Sequence, residues 1–303
     1  MGILLAFIAG LFVPLTNLCV RKSVDVSGNA KAFFVFQMLS SLLLTTCLGP
    51  LRQGLFQIPL SVALLGTLAG LFLSGLLFFL GKAVEKGPPA LTFAILNSAT
   101  VMPGLLMALV FGASLGFIYN FWHALGSFLV LSGLFWGAKG LKGMKEIRSW
   151  LFFSASMFFF HVLLLSLYQY RAMLMNLPNP EELVSFFTSE RIKSVWFVPF
   201  MFLSSGLVQL GIYLNSKQIP HPKEAFFGTL GGLFNFLCTF FLIWATEVAS
   251  PLENAVIFPI YSVIGIILTN VWGAKLYKEE VNWRACLVCL LGLIIGTIDW
   301  KAL

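Results

Sequence analysis

The 303-residue chain has 19 basic and 12 acidic residues and a net charge of +7, yet only 10% of its residues are charged while 59% are hydrophobic. A soluble domain carries about 25% charged residues, so this composition excludes a water-facing globular fold and any sizeable extramembrane catalytic or cofactor-binding domain. A membrane-spanning helix takes roughly 20 apolar residues, and the length therefore accommodates about ten spans.

Apolar runs separated by charged or Pro/Gly-rich turns predict helices over 3–20, 32–49, 60–80, 90–111, 118–138, 150–170, 195–214, 225–245, 252–274 and 284–299. The first run has no basic segment ahead of it, so it reads as a span and not as a cleaved signal peptide. Breaks fall at Arg21-Lys22 to Lys31, at Gly49-Pro50-Leu51-Arg52, at Glu85-Lys86-Gly87-Pro88-Pro89, from Lys139 to Arg148, and at Pro220-His221-Pro222. The longest polar stretch, Asn176 to Lys193, reads as a surface loop with room for a short amphipathic helix. The fold class expected is all-α: a polytopic membrane helix bundle of ten transmembrane helices.

The chain also repeats itself. A slide of 162 sets Ala83-Val84-Glu85 and Pro89 on Ala245-Thr246-Glu247 and Pro251. Slides of 161 and 159 set Val110 to Ala113 on Val271 to Ala274, and Gly133 and Gly137 on Gly292 and Gly296. Three matches in one order at nearly one offset indicate two five-helix repeats, 1–143 and 144–303. An odd number of spans makes the second copy enter the membrane from the opposite side, which is the inverted-repeat plan of many secondary transporters. Gly66, Gly70 and Ser74 recur every four residues on the third span, a spacing that lets helix backbones approach closely.

This pattern resembles the drug/metabolite transporter superfamily, in its ten-span EamA-like and sugar-porter-like branches. The likeness rests on Ala83 to Ala90 leading into the fourth span, and on Ser250-Pro251 to Trp283, with Phe258-Pro259-Ile260-Tyr261 and the acidic turn Lys278-Glu279-Glu280. The first half departs from it, with Gly112-Ala113-Ser114-Leu115-Gly116 where a Gly-Glu turn is usual, and the Lys139 to Arg148 linker is unusually basic. The resemblance implies a central cavity lined by spans one to four and six to nine, with five and ten packed outside, and a bacterial-type inner (plasma) membrane as the location.

Loops after the odd-numbered spans hold 14 of the 19 basic residues. The positive-inside rule puts those loops in the cytoplasm and both termini outside, whereas the family resemblance implies cytoplasmic termini. Lipid headgroups and orientation account for the basic balance, so no nucleic-acid partner is expected.

A polar group in hydrocarbon needs a partner or a function. Asn17, Gln37, Asn97, Ser98, His161, Gln209, Asn235 and Tyr261 stand within the predicted spans and form the candidate substrate-binding set. Their neutral donors and acceptors can replace water around a hydroxyl, amide or carboxylate. Deeply placed Arg or Lys is scarce, which argues against a highly anionic phosphate ester. Glu85, Glu247 and Glu253 read as water-facing residues at span ends, and the Trp residues as interfacial anchors. Pro14, Pro103, Pro199 and Pro259 lie within spans, where each removes a backbone donor and can kink its helix.

The five Cys, two of them in the C-x-x-C Cys286 and Cys289, have no second pair nearby and read as small buried apolar residues, so no metal and no cofactor is expected. Gly112 to Gly116 matches G-x-S-x-G, which leaves an intramembrane serine hydrolase pairing Ser114 with His161 as the competing class, alongside a non-transporting structural membrane protein. The motif's strand-turn-helix context is missing, and a catalytic role is not expected. A secondary transporter of a small polar organic metabolite fits best, with a coupling proton and a monomeric or homodimeric state both left open.

Overall fold

The computed structural model describes residues 1–27, 29–112, 120–138, 146–176, 193–216, 218–248, 251–278 and 281–296, and these form an all-helical bundle. In chain order the helices are α1 (Gly2–Ser27), α2 (Lys31–Thr46, carried on by a wider turn to Leu51), α3 (Leu60–Lys86), α4 (Pro89–Ser98), α5 (Met102–Phe111), α6 (Phe121–Ala138), α7 (Ile147–Asn176), α8 (Phe197–Asn215), α9 (Pro222–Val248), α10 (Pro251–Tyr277) and α11 (Trp283–Ile295). Among the described residues eight helical stretches are long and apolar enough to cross a membrane, and Phe121–Gly133 and Trp283–Gly292 are shorter apolar helices. The polypeptide is thus a multi-pass helical membrane protein. Its polarity is reversed relative to a soluble fold: Leu43, Phe128 and Phe226 are more than 60% exposed on the outer surface, while Asn97, Gln37, Ser41 and Gln209 are buried.

Local chemistry sets several helix starts. Asn120 and His123 bond reciprocally at the start of α6, the Asn120 Oδ1 accepting from His123 N–H at 3.0 Å and the His123 Nδ1 from Asn120 N–H at 3.1 Å. Glu224 reaches back to the His221 N–H at 2.8 Å ahead of α9, with Pro222 at the first helical position. Asn282 caps α11 by accepting from Ala285 N–H at 3.1 Å.

Helix ends depart from the sequence expectation. α1 continues past Arg21 and Lys22 to Ser27, and α7 continues past 170 to Asn176, so Arg171 lies inside a helix and is 5% exposed. Long basic side chains keep their stems on apolar surface, so a charge does not end a helix in the way that Pro or Gly does. The stretch 177–192 lies outside the described residues, as do 113–119 and 139–145.

The fourth predicted span is broken. A single 3₁₀ turn, Ala99–Val101, separates α4 from α5. Pro103 has no N–H to offer the Ala99 carbonyl, which instead takes the Met102 N–H one residue earlier. Pro199, by contrast, sits in the first turn of α8, where no intrahelical donor is lost, and it makes no kink there.

Packing follows a regular scheme. α1 packs on α9 and α10, and α7 packs on α3 and the α4–α5 pair; α3 packs on α8 and α9 on α2; α2 meets α8, α4 meets α10, and α6 meets α11. The α3–α8 and α2–α9 seams share their main close contacts. A side chain at Gly66 would stand 2.6 Å from the Phe197 carbonyl oxygen, and one at Gly228 would stand 2.8 Å from that of Phe33. Gly70 faces Ser204 and the Met201 carbonyl as Gly232 faces Ser40 and the Gln37 carbonyl. The Ser204 hydroxyl donates to Thr67 O at 3.2 Å, and the Ser40 hydroxyl to Thr229 O at 3.2 Å.

The sequence accounts for this match. Gly66-Thr67-Leu68-Ala69-Gly70-Leu71-Phe72 recurs as Gly228-Thr229-Leu230-Gly231-Gly232-Leu233-Phe234, with one difference, at Ala69 and Gly231. Phe33, Phe36, Leu39, Ser40 and Ser41 recur at one spacing as Phe197, Phe200, Leu203, Ser204 and Ser205.

Candidate functional site

α4 brings Asn97 to the interior just before the 3₁₀ turn, where it is 1% exposed. Its backbone carbonyl accepts from the Ser262 hydroxyl of α10 at 2.6 Å and from the Thr100 hydroxyl at 2.8 Å. Its side-chain amide has no hydrogen-bond partner at either the nitrogen or the oxygen. The absence of a side chain at Gly265 leaves room for it, since a Cβ there would stand 3.4 Å from Asn97 Oδ1 and 3.1 Å from Val13. A buried amide with nothing to bond costs about 1–3 kcal/mol, which makes Asn97 the predicted residue with most free hydrogen-bonding capacity for a ligand.

His161 of α7 adjoins this point and donates from Nδ1 to the Leu96 carbonyl at 2.7 Å. That bond fixes the ring on the residue before Asn97. Tyr261 precedes Ser262 on α10, and its phenol oxygen accepts from the Cys238 thiol of α9 at 3.7 Å. On α7, the Tyr168 hydroxyl donates to Met201 Sδ at 3.0 Å. Asn97, Leu96, His161 and Ser262 therefore form one connected polar centre where α4, α7 and α10 meet, with Tyr261 beside it.

Of the other predicted residues, all buried or half-buried, Asn17, Gln209 and Asn235 bridge helix seams, whereas Ser98 bonds within its own helix. Asn17 donates to Thr269 Oγ1 at 3.4 Å, joining α1 to α10. Ser98 donates to Ala94 O within its own helix at 2.8 Å. Gln209 donates to Ser74 O at 3.0 Å, where Ser74 also meets Ser205, and Asn235 donates to Ser41 Oγ at 3.4 Å. Gln37 lies in the α2–α9 seam with its Oε1 unpartnered. A paired amide bridging two helices already has its bonds, which is why these positions hold the bundle together and are less suited to a ligand.

Three expectations are corrected. Glu85 and Glu247 do not simply face water: Glu85 pairs with Lys82 at 2.7 Å, and Glu247 pairs with Arg171 at 2.8 Å across α7 and α9. The side chain of Glu253 lies outside the described residues. Trp150 is no interfacial anchor, since it is fully buried and its Nε1–H donates to Thr92 Oγ1 at 2.9 Å. Arg171 adds a buried cation near a helix end that the predicted spans had left in a loop. Its guanidinium lies 4.7 Å from the Phe197 ring centroid.

Ser114 lies outside the described residues, and His161, its expected partner, bonds Leu96 O. All five cysteines are free, and Cys286 accepts from Asn270 Nδ2 at 2.9 Å. Among the described residues no three His, Cys, Asp or Glu side chains gather as a metal site. Sequence reasoning missed Ser262, Tyr168, Cys238 and Arg171. Of these only Arg171 left a signal, as a charge one residue beyond a predicted span end.

No family model matches the sequence, and no curated protein sequence matches it. Among solved structures, one described as "Crystal structure of protein" aligns over 98% of this chain and 98% of its own, with a TM-score of 0.65 and 15% identity. The helical architecture is thus one that a solved protein of nearly the same extent adopts.

Proposed function

We propose that the protein is a secondary transporter of the drug/metabolite type, with ten spans arranged as two inverted five-helix repeats, which moves a small polar organic solute by alternating access. The observation that carries this reading is the matched pair of seams, Gly66 and Gly70 on α8 against Gly228 and Gly232 on α2. Counting α4 and α5 as one span, exchange of the first five spans with the last five maps the main packing pairs onto one another or onto themselves: α1 with α9 onto α7 with α3, α1 with α10 onto α7 with α4, and α6 with α11 onto itself. Twin halves of opposite direction can trade conformations and so open one central site to each face in turn. A purely structural membrane protein has no comparable use for that relationship.

The substrate site in this reading is the centre at Asn97, with His161, Ser262 and Tyr261 around it. A discontinuous helix with free polar groups at mid-membrane is the usual setting for a transported solute. Arg171 supplies a buried positive charge, but it sits at one end of the bundle and pairs with Glu247, which favours a substrate of low net charge. With Arg171 buried, the face that holds the chain start keeps four basic residues, Arg52, Arg191, Lys193 and Lys301, and the opposite face keeps 14. That asymmetry supports cytoplasmic placement of the opposite face and termini outside.

Uptake of a panel of labelled sugars, amino acids and nucleoside-type metabolites into proteoliposomes, with and without a proton gradient, tests the proposal. Accumulation of one class above protein-free vesicles supports it. Absence of uptake and exchange for every class, in protein that is inserted and monodisperse, sinks it.

A further inference from the structure

The helix pairings divide the centre of the molecule into two three-helix groups. One consists of α3, the α4–α5 pair and α7, and the other of α9, α10 and α1. The groups meet where α4 touches α10, and also where α1 touches α3 and α7 touches α9. Any opening of a site at Asn97 has to move one group against the other, so contacts that cross between them are the ones a transport cycle must break.

Most of the charged contacts among the described residues do not cross. Arg21 pairs with Asp25 within α1, and the Tyr277 hydroxyl of α10 donates to Asp25 at 2.8 Å, all in the second group. Lys82 pairs with Glu85 within α3, and Lys86 pairs with Glu146 just before α7, both in the first group. These pairs lie at the end of the bundle where α1 and α3 finish.

Arg171 and Glu247 differ. They sit at the other end, on α7 and α9, and their 2.8 Å contact joins one group to the other. The antiparallel run of α1 along α9, with Cys19 beside Gly231 and Phe12 stacked on Phe241 at 6.2 Å, places the chain start at this same end. Arg171 is held in place by the ring of Phe197, 4.7 Å from its guanidinium.

The internal repeat supplies a control. The stacked pair Phe79 and Phe160, with centroids 5.6 Å apart, corresponds to Phe241 and Phe12. The same registers carry Glu247 back to Glu85 and Arg171 back to Ser23. At the equivalent point of the opposite end the acid is thus kept, but the cation is replaced by a neutral hydroxyl, and Glu85 pairs along its own helix. Among the described residues the two ends are therefore chemically unequal: one carries a charged clasp between the groups and the other does not.

We propose that Arg171 and Glu247 form the gate on the face that holds the chain start, closing that face when paired and opening it when parted. This rests on the alternating-access reading above and adds which end is clasped and by which residues. A pair with one buried and one partly exposed member suits this task. Neutralising either partner removes the ionic contact that joins the two groups, so the closed arrangement loses that support.

Cys238, buried on α9 beside Tyr261, is a native reporter of access to the centre. With Cys19, Cys47, Cys286 and Cys289 replaced by Ala, the full chain in oriented vesicles is treated with a membrane-impermeant methanethiosulfonate from either face. Arg171→Gln and Glu247→Gln are expected to raise Cys238 labelling from the chain-start face by about tenfold or more over the parent, and the exchange R171E/E247R to return it to the parental rate. Glu247, 30% exposed, provides a variant that folds even where Arg171 does not tolerate replacement. If Cys238 is reached from both faces in the parent but the single variants label at the parental rate, the gate assignment falls while alternating access stands. The same holds if the exchange variant labels as fast as the single variants. If Cys238 is reached from one unchanging face in the parent and in every variant, both the gate and alternating access fall.

Discussion

A Cβ added at Gly126 would stand 2.5 Å from the carbonyl oxygen of Gly292, and one added at Gly292 would stand 2.7 Å from the carbonyl oxygen of Gly126. Two turns further along each helix the geometry repeats, with a side chain at Gly133 placed 2.9 Å from the Ala285 carbonyl. Carrying Gly126 and Gly292 through the register that matches Gly133 with Gly292 yields Gly133 and Ala285. In the proposed two-repeat arrangement the α6–α11 contact is its own counterpart. Close backbone approach of this kind provides the dispersion contacts that hold helices together where lipid offers no hydrophobic drive.

Replacing Gly126 or Gly292 by Val forces α6 and α11 apart, because the atoms in the way are backbone and cannot rotate aside. Each change is expected to destabilise the detergent-solubilised protein by about 1–3 kcal/mol or more. Gly211, with nothing within 4 Å of its added Cβ, is the control. Gly211→Ala in α8 should be neutral or slightly stabilising, as helix propensity favours Ala. Thermal melting monitored by tryptophan fluorescence checks both, and equal melting temperatures across the three variants would remove the argument from close packing.

Gly70 and Gly232 occupy matched places against Ser204 and Ser40, so their substitution should have matched effects. Val at either position is expected to lower the melting temperature by a similar amount, and the double variant to lose about the sum, since the two seams share no side chain. A large loss at one position with none at the other would show that the two halves do not carry equivalent packing.

Much of this was legible in the chain itself. Long apolar runs marked the helices because hydrocarbon selects length and apolarity above all else. Their ends were less legible, since Arg21, Lys22 and Arg171 continue helices that a charge-based reading cuts short. The strongest evidence of repetition, the recurrence of Gly66 to Phe72 at Gly228 to Phe234, lies at the same slide of 162 that aligned Glu85 with Glu247, and needed no structure to find. The candidate site was legible only as residue types. Asn97 and Gln209 are both buried amides, and only coordinates separate the one without partners from the one bonded to Ser74. Pairing is a tertiary property, set by which helices meet, and single-span patterns do not encode it.

Trp150 and Thr92 tie the start of α7 to α4 through a bond of 2.9 Å, with Gly87 leaving space for the indole. Trp150→Phe keeps most of the packing and leaves Thr92 without this donor, an expected loss of about 1 kcal/mol. Trp150→Ala empties a fully enclosed site and should cost about 3–5 kcal/mol. Denaturation of the purified protein separates the two. A Phe variant as damaged as the Ala variant would place the value of Trp150 in its hydrogen bond instead of its volume.

Asn97 yields the sharpest expectation because function and stability are set against each other there. If its amide is kept for a solute, then Asn97→Leu, similar in volume and free of polar atoms, should raise stability by about 1–3 kcal/mol through relief of two unpartnered groups. The same change should abolish uptake in the proteoliposome panel while insertion and monodispersity are kept. Ser98→Ala, whose hydroxyl bonds only its own helix at Ala94, should leave uptake near that of the parent. Ser114→Ala should likewise leave uptake unchanged. A melting temperature that falls in Asn97→Leu would mean that the amide is paired in the resting protein. The substrate centre would then have to be sought away from the α4 break, starting with the unpartnered oxygen of Gln37 in the α2–α9 seam.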